Sequence, residues 1–314
     1  MDTELGLSAK QIDSSILQLF WDLAALEPSK RQAAASALVG HAAEAQAAAT
    51  DTGAQAATVA ADADDKERAA AALATCAPLA AYVVRRLCRG LGSGRDGARQ
   101  GFATALTQAL TVVTAVPLEH AFALLKSSLE PVTGASKGAE VNDSFFGQLF
   151  GLGAIIRALD ARAIAATTTT TTTTTKAGKA ADANLTLRAA LAEELVTLTT
   201  KKVFLAEGAA ALLVQLTDSL SASQLPSLLQ RAPAFATWLQ AAPDSARPEV
   251  LVVLLKLLPK LPANVVTKCR MLPAVRIPIP GVSSRCSVAR HRCRRARGFA
   301  PGLCGVILGL HHVL

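Results

Sequence analysis

Apolar side chains recur at intervals of three and four residues along most of this chain, and prolines stand at the breaks. Ile12, Ile16, Leu19, Phe20 and Leu23 lay one stripe along a helix. Pro28 follows where the first turn of a helix tolerates proline, and SKRQAAASALV continues with good helix formers. The same spacing predicts helices over 79–89, 95–113, 118–129, 143–159, 185–200, 203–220, 225–231, 234–240 and 249–258. Prolines at 117, 226, 233, 243, 248 and 259 punctuate them. No segment shows convincing strand character.

Two segments break the pattern. Residues 43–68 hold no large apolar side chain except Val59, too little to offset the entropy lost on ordering, so a flexible insertion is expected there. The nine threonines Thr167–Thr175, followed by KAGKAADA, are expected to form a second insertion at about 165–182. β-Branched residues favour strands, but this run offers no apolar alternation to bury. The helical pattern therefore defines a domain over 10–264 with two flexible inserts. A succession of short amphipathic helices with no strict period fits a degenerate helical-repeat array, in which each pair buries its stripe against the next. A helical bundle is the other architecture the pattern allows.

Composition supports the helices. Hydrophobic residues make up 51% of the 314 positions while aromatics are only 4%, so alanine and leucine carry the apolar content rather than the residues strands prefer. Charge is uneven. Residues 1–249 carry twenty-four acidic and twenty-one basic residues, a balance of −3, whereas the last 65 carry eleven Lys or Arg and no acid, +11. Residues 265–314 accordingly read as a basic, irregular and disordered tail, and only this segment argues strongly for a polyanion partner. Six cysteines are too sparse for a disulfide framework and are expected to be reduced. The N-terminus, MDTELGLSAK, lacks the apolar region of a secretory leader, and no apolar run is long enough to span a membrane.

GLGSGRDGARQG at 90–101 carries Gly92, Gly94 and Gly97 at the spacing of a dinucleotide-binding loop. Such a loop needs a strand to deliver the chain to the pyrophosphate. Here the preceding residues are helical: Leu79, Val83, Val84, Leu87 and Leu91 fill one side, with Arg85, Arg86 and Arg89 on the other. The expected role is a helix–helix junction, Gly90 or Gly92 closing one helix in the left-handed conformation and Ser93 with Asp96 opening the next as a capping box. The three arginines are candidate phosphate contacts, although a charged helix face is more often simply solvated. Arg99, on the stripe of Phe102 and Leu106, is expected to lay its stem along the packing surface.

In the tail, Arg290, Arg292, Arg294, Arg295 and Arg297 form a candidate nuclear-localisation or nucleic-acid patch. Cys286, His291, Cys293 and Cys304 do not match zinc spacings, and basic neighbours would repel the ion. His41 and His120 are isolated, and no nucleophile elbow, zinc-protease helix or Walker loop occurs. No catalytic residue, cofactor or metal ligand is expected. Nor is base stacking, given the scarcity of aromatics.

Four stretches carry a resemblance. LQLFWDLAALEPSKRQAAASALV (17–39), YVVRRLCRGLGSGRDGARQGFATALTQAL (82–110) and FFGQLFGLGAIIRAL (145–159) resemble, in that order, the N-terminal region of the DNA polymerase V / Myb-binding protein 1A family, and PEVLVVLLKLLPKLP (248–262) is also similar. The resemblance covers roughly 14–264, with the alanine and threonine segments as expansions. It implies an all-α, armadillo/HEAT-like repeat array in a nucleolar transcriptional regulator of ribosomal RNA genes and ribosome biogenesis. The implied partners are transcription or ribosome-assembly proteins and DNA, with no membrane or small-molecule substrate. Despite the family's name, no polymerase site is implied. This chain departs from the family in being short, and its residues beyond about Val266 do not match. An adaptor acting only through protein contacts is the alternative reading, and a nucleotide-binding enzyme using Gly92–Gly97 a weaker one.

Overall fold

The apolar stripes fold as helices, eleven of them among the described residues, with no strand among those residues. The computed structural model describes residues 12–51, 73, 76–130, 138–169, 174–240, 247–261 and 265. The expected tail beyond 265 and residues 52–68 of the first expected insert lie outside them.

Helix α1, Ser14–Asp22, starts at Asp13, whose carboxylate accepts from the Ser15 backbone N–H at 3.0 Å. That bond holds the Asp13 carboxyl below its ordinary pKa. Ile16 and Phe20 turn inward, and Phe20 meets Tyr82 edge-on at 6.1 Å. Helix α2 is Pro28–Asp51, α3 Pro78–Gly90, α4 Asp96–Val112 and α5 Leu118–Ser128. Then come α6, Gly138–Thr169, and α7, Thr174–Lys201. A 3₁₀ turn at Val203–Leu205 leads to α8, Ala206–Asp218, followed by α9, Gln224–Arg231, α10, Pro233–Leu239, and α11, Pro248–Leu257.

Helices α2, α4, α6, α8 and α11 pack in succession, each on the next. The intervening helices lie against them: α3 on α2 and α4, α5 on α6, α7 on α6 and α8, and α10 on α7 and α11. One continuous core of leucine, alanine and valine runs from Ile12 to Leu261. Small residues let the helices close in. A Cβ on Gly101 would overlap the Leu23 carbonyl oxygen, and one on Gly147 would lie 2.7 Å from that of Leu91. These two glycines set how closely α4 and α6 approach the chain leaving α1 and α3.

Two boundaries differ from expectation. α2 extends through Asp51, so 43–51 are helical where a flexible insert is expected. Alanine needs little burial to stay helical, and this stretch has some: Ala42 is buried, Ala45 and Ala49 pack on the core, and Gln46 Oε1 accepts from the Ala77 N–H at 2.9 Å. Likewise α6 runs to Thr169 and α7 begins at Thr174, which leaves only 170–173 of the second expected insert outside the described residues. Asp182, on the helical side, is paired with Arg231 of α9.

Substituting Gly101→Ala should lower stability by about 1–3 kcal/mol or more, because a backbone carbonyl cannot swing aside as a side chain can. Thermal unfolding followed by far-ultraviolet circular dichroism reads this directly. The control, Gly40→Ala, has open space around it and should not destabilise.

Candidate nucleic-acid interface

The glycine loop joins two helices. α3 precedes it where a dinucleotide loop would have a strand, and the turn from Leu91 to Arg95 leads straight into α4. Its chemistry differs from the expected caps. α3 closes through Leu91 in right-handed geometry, with φ of −63°, and none of Gly90, Gly92, Gly94 or Gly97 is left-handed. Gly90 is small for a different reason: the Phe102 ring sits 2.5 Å from where a Cβ would be. The capping box is absent too. Arg95 is the N-cap, Ser93 Oγ accepts only from the Arg95 N–H at 3.3 Å, and Asp96 turns to Arg99 instead.

Arg99 is the reason. Buried at 5% exposure, it does more than lay its stem on the core. Nη1 donates to the Ser93 carbonyl at 2.5 Å and to Asp143 Oδ1 of α6 at 3.1 Å, Nη2 pairs with Asp96, and the guanidinium lies 5.0 Å from the Phe146 ring centre. A competing anion on the loop would have to displace two carboxylates. The loop thus presents a neutralised arginine rather than a phosphate cradle.

Of the candidate arginines on α3, Arg86 is half-buried, stacked 4.6 Å from the Phe20 ring centre and bonded to the Tyr82 hydroxyl. Arg85 is half-buried, and Arg89 is exposed. The structure therefore ties Arg86 into the α1–α3 contact and leaves Arg89 the most accessible of the three. Arg290, Arg292, Arg294, Arg295 and Arg297 lie outside the described residues. On the buried side of α3, desolvation pushes the Cys88 thiol pKa up to about 12, far from nucleophilic range.

Sequence reasoning missed how many cations reach the carbonyls at helix ends. Arg162 of α6 donates through Nε, Nη1 and Nη2 to the carbonyls of Leu110, Val116 and Val113, at 2.7, 3.0 and 3.0 Å, where α4 ends. Arg31 closes the turn after α1 through Ala25 and Leu26, at 2.9 and 2.7 Å. Arg188 reaches Leu216 near the end of α8 at 2.5 Å, Lys260 reaches Asp218 at 2.5 Å, and Arg247 reaches Thr199 in the last turn of α7 at 2.6 Å. Gln148 does the same, uncharged, for Leu129 after α5, at 3.1 Å. The converse also occurs. Glu193 of α7 accepts from the N–H groups of Ala234 and Phe235, at 2.8 and 3.2 Å, where α10 begins. Both follow from the polarity of helix ends. No sequence spacing announces them, because most of the partners are 28–52 positions apart.

A second cluster also escaped. Phe146 and Phe204 come within 5.0 Å, centre to centre, and Lys201 Nζ stands 5.5 Å from the Phe145 ring. Phe145 and Phe146 were legible as helix residues, but not as neighbours of 201–204.

Among the described residues no group of three or more His, Cys, Asp or Glu could hold a metal ion, and no helix is long and apolar enough to cross a membrane. Among the described residues the fold is all-helical, and Arg31, Arg162, Arg188, Arg247 and Lys260 serve its own helix ends. The chain belongs to the DNA polymerase phi family, whose model matches residues 82–275, more than half of its length. A fission-yeast protein, the rDNA transcriptional regulator pol5 of Schizosaccharomyces pombe, is 43% identical over 75 residues. That match covers 24% of this chain and 8% of pol5, so it spans a small part of its relative. No solved structure matches.

Replacing Arg162 by Met should cost about 1–3 kcal/mol, since the carbonyls at the end of α4 lose their donors in a half-dry site. Arg162→Lys should recover only part of this, a single ammonium being unable to span three carbonyls. Urea denaturation of the three proteins checks the order.

Proposed function

We propose that this chain is part of a nucleolar helical scaffold that regulates transcription of ribosomal RNA genes and contributes to ribosome biogenesis. The observation that carries the reading is its identity to a protein named as an rDNA transcriptional regulator, within a shared family. Within that family it is read as belonging with DNA polymerase V and Myb-binding protein 1A. The succession α2, α4, α6, α8, α11, each packed on the next with other helices between, supports an armadillo/HEAT-like repeat arrangement. Such an array offers extended surface for transcription or ribosome-assembly partners rather than a reaction pocket.

DNA enters this reading through Arg290, Arg292, Arg294, Arg295 and Arg297, with Arg85 and Arg89 of α3 as secondary contacts and Arg86 held between rings. The +11 balance of the last 65 residues supplies the attraction. A second reading, an adaptor that touches only proteins, draws support from the arginines of 12–261: Arg31, Arg99, Arg162, Arg188 and Arg247 are spent on backbone carbonyls.

A fluorescent fusion expressed in cells should concentrate in the nucleolus, and exclusion of a folded fusion from it would remove the localisation. With a duplex probe, binding through six to ten phosphates should weaken by about 10³–10⁵ between 50 and 200 mM salt. Changing the five tail arginines to Gln should flatten that dependence by about one unit of slope for each lost contact. Equal slopes with and without the five would favour the adaptor.

A further inference from the structure

Val203 and Phe204 stand at 72% and 48% exposure on the 3₁₀ turn between α7 and α8. Single exposed apolar residues are ordinary on a protein surface, but these two are not isolated. Phe204 leans on Phe146 of α6 at 5.0 Å with a 30° tilt, and Phe145 carries Lys201 at its ring, 5.5 Å away. Lys202 follows directly. Neither lysine is paired with a carboxylate among the described residues, in contrast to Lys30, Lys126 and Lys260, which are. The other exposed apolar corner, Trp21 and Leu26, lacks this feature: Lys30 beside it is paired with Asp22, and Arg31 is engaged by carbonyls.

The cluster therefore combines an aromatic ring open to solvent with two lysines, two and three positions before it in the chain, that have no carboxylate partner among the described residues. We propose that it binds single-stranded nucleic acid, with a base stacking on Phe204 and backbone phosphates accepting from Lys201 and Lys202. Every nucleotide carries both a flat π-face and a phosphate, so one strand satisfies the ring and the ammonium groups together. Charge complementarity selects this occupant. A neutral apolar protein surface would cover Val203 and Phe204 yet leave both lysines without a partner, and the single Glu207 in the first turn of α8 is too few to balance them. A paired duplex buries its base faces and cannot use the ring. The scarcity of aromatics in the sequence argued against stacking, but one such platform needs few rings, and the fold brings three phenylalanines to one place. This site is separate from the tail arginines and from α3, so it stands independently of the duplex-binding reading.

The test uses the full chain and a 20-nucleotide oligo(dT), with a 20-base-pair duplex as comparison. Phe204→Trp serves as a reporter, and its emission above the wild-type background of Trp21 and Trp238 should be quenched as oligo(dT) is added. Phe204→Ala should weaken oligo(dT) binding about 5- to 150-fold with duplex binding unchanged. Lys201→Gln with Lys202→Gln should lower the salt slope for oligo(dT) by about 1.4. The variant with the five tail arginines changed to Gln should keep the oligo(dT)-dependent quench even where duplex binding is lost, which separates the two sites. Unquenched Phe204→Trp emission at saturating oligo(dT), or wild-type affinity in a Phe204→Ala chain of unchanged helical content, overturns the proposal and leaves the patch to a protein partner.

Discussion

A chain of short helices has a problem that apolar packing does not solve: each helix ends in carbonyl groups with no partner within the helix, and packing brings several of those ends away from water. Here side chains from other segments supply the donors. The three-pronged clasp of Arg162 on the end of α4 is the fullest case, and Arg31, Arg99, Arg188, Arg247 and Lys260 repeat it elsewhere. A planar guanidinium can serve several carbonyls at once, and its charge is favoured at the negative end of a helix. Burial draws the Arg162 pKa down, with Glu119 opposing, which is the electrostatic cost of placing a cation there. Each clasp also fixes where one helix ends relative to the next, so the same bonds that satisfy the backbone hold the order of packing.

Hydrophobic contact alone would leave these helices free to slide, because leucine and alanine stripes fit one another in several registers. Glycine narrows the choice. Where Gly101 faces the Leu23 carbonyl and Gly147 that of Leu91, only a residue without Cβ permits the approach. The network of Arg99 with Asp96, Asp143 and the Ser93 carbonyl then ties the loop between α3 and α4 to α6. Close backbone approach, a buried cation and two carboxylates thus meet at a single junction, the same loop whose glycines mimic a nucleotide site.

Using arginine this way changes what a basic count means. The balance of residues 1–249 is slightly acidic, and many of their cations are held by carbonyls, carboxylates or rings. Among the described residues, positive charge without a carboxylate partner is then a matter of particular places, such as the pair of lysines beside Phe204.

The helices were legible from sequence because a three-to-four residue period is a local property: Ile16 and Phe20, or Val83, Val84 and Leu87, declare a buried face whatever lies opposite. Proline placement was legible for the same reason, Pro28, Pro233 and Pro248 each opening a helix. Local reasoning failed where the deciding partner was distant. The helical state of 43–51 is supported by the Ala77 N–H, which donates to Gln46, and the smallness of Gly90 is set by Phe102. Tertiary structure alone decided which arginines are structural and which rings gather beside Lys201, because carbonyl ends and aromatic faces become neighbours only after the chain has folded back across tens of residues.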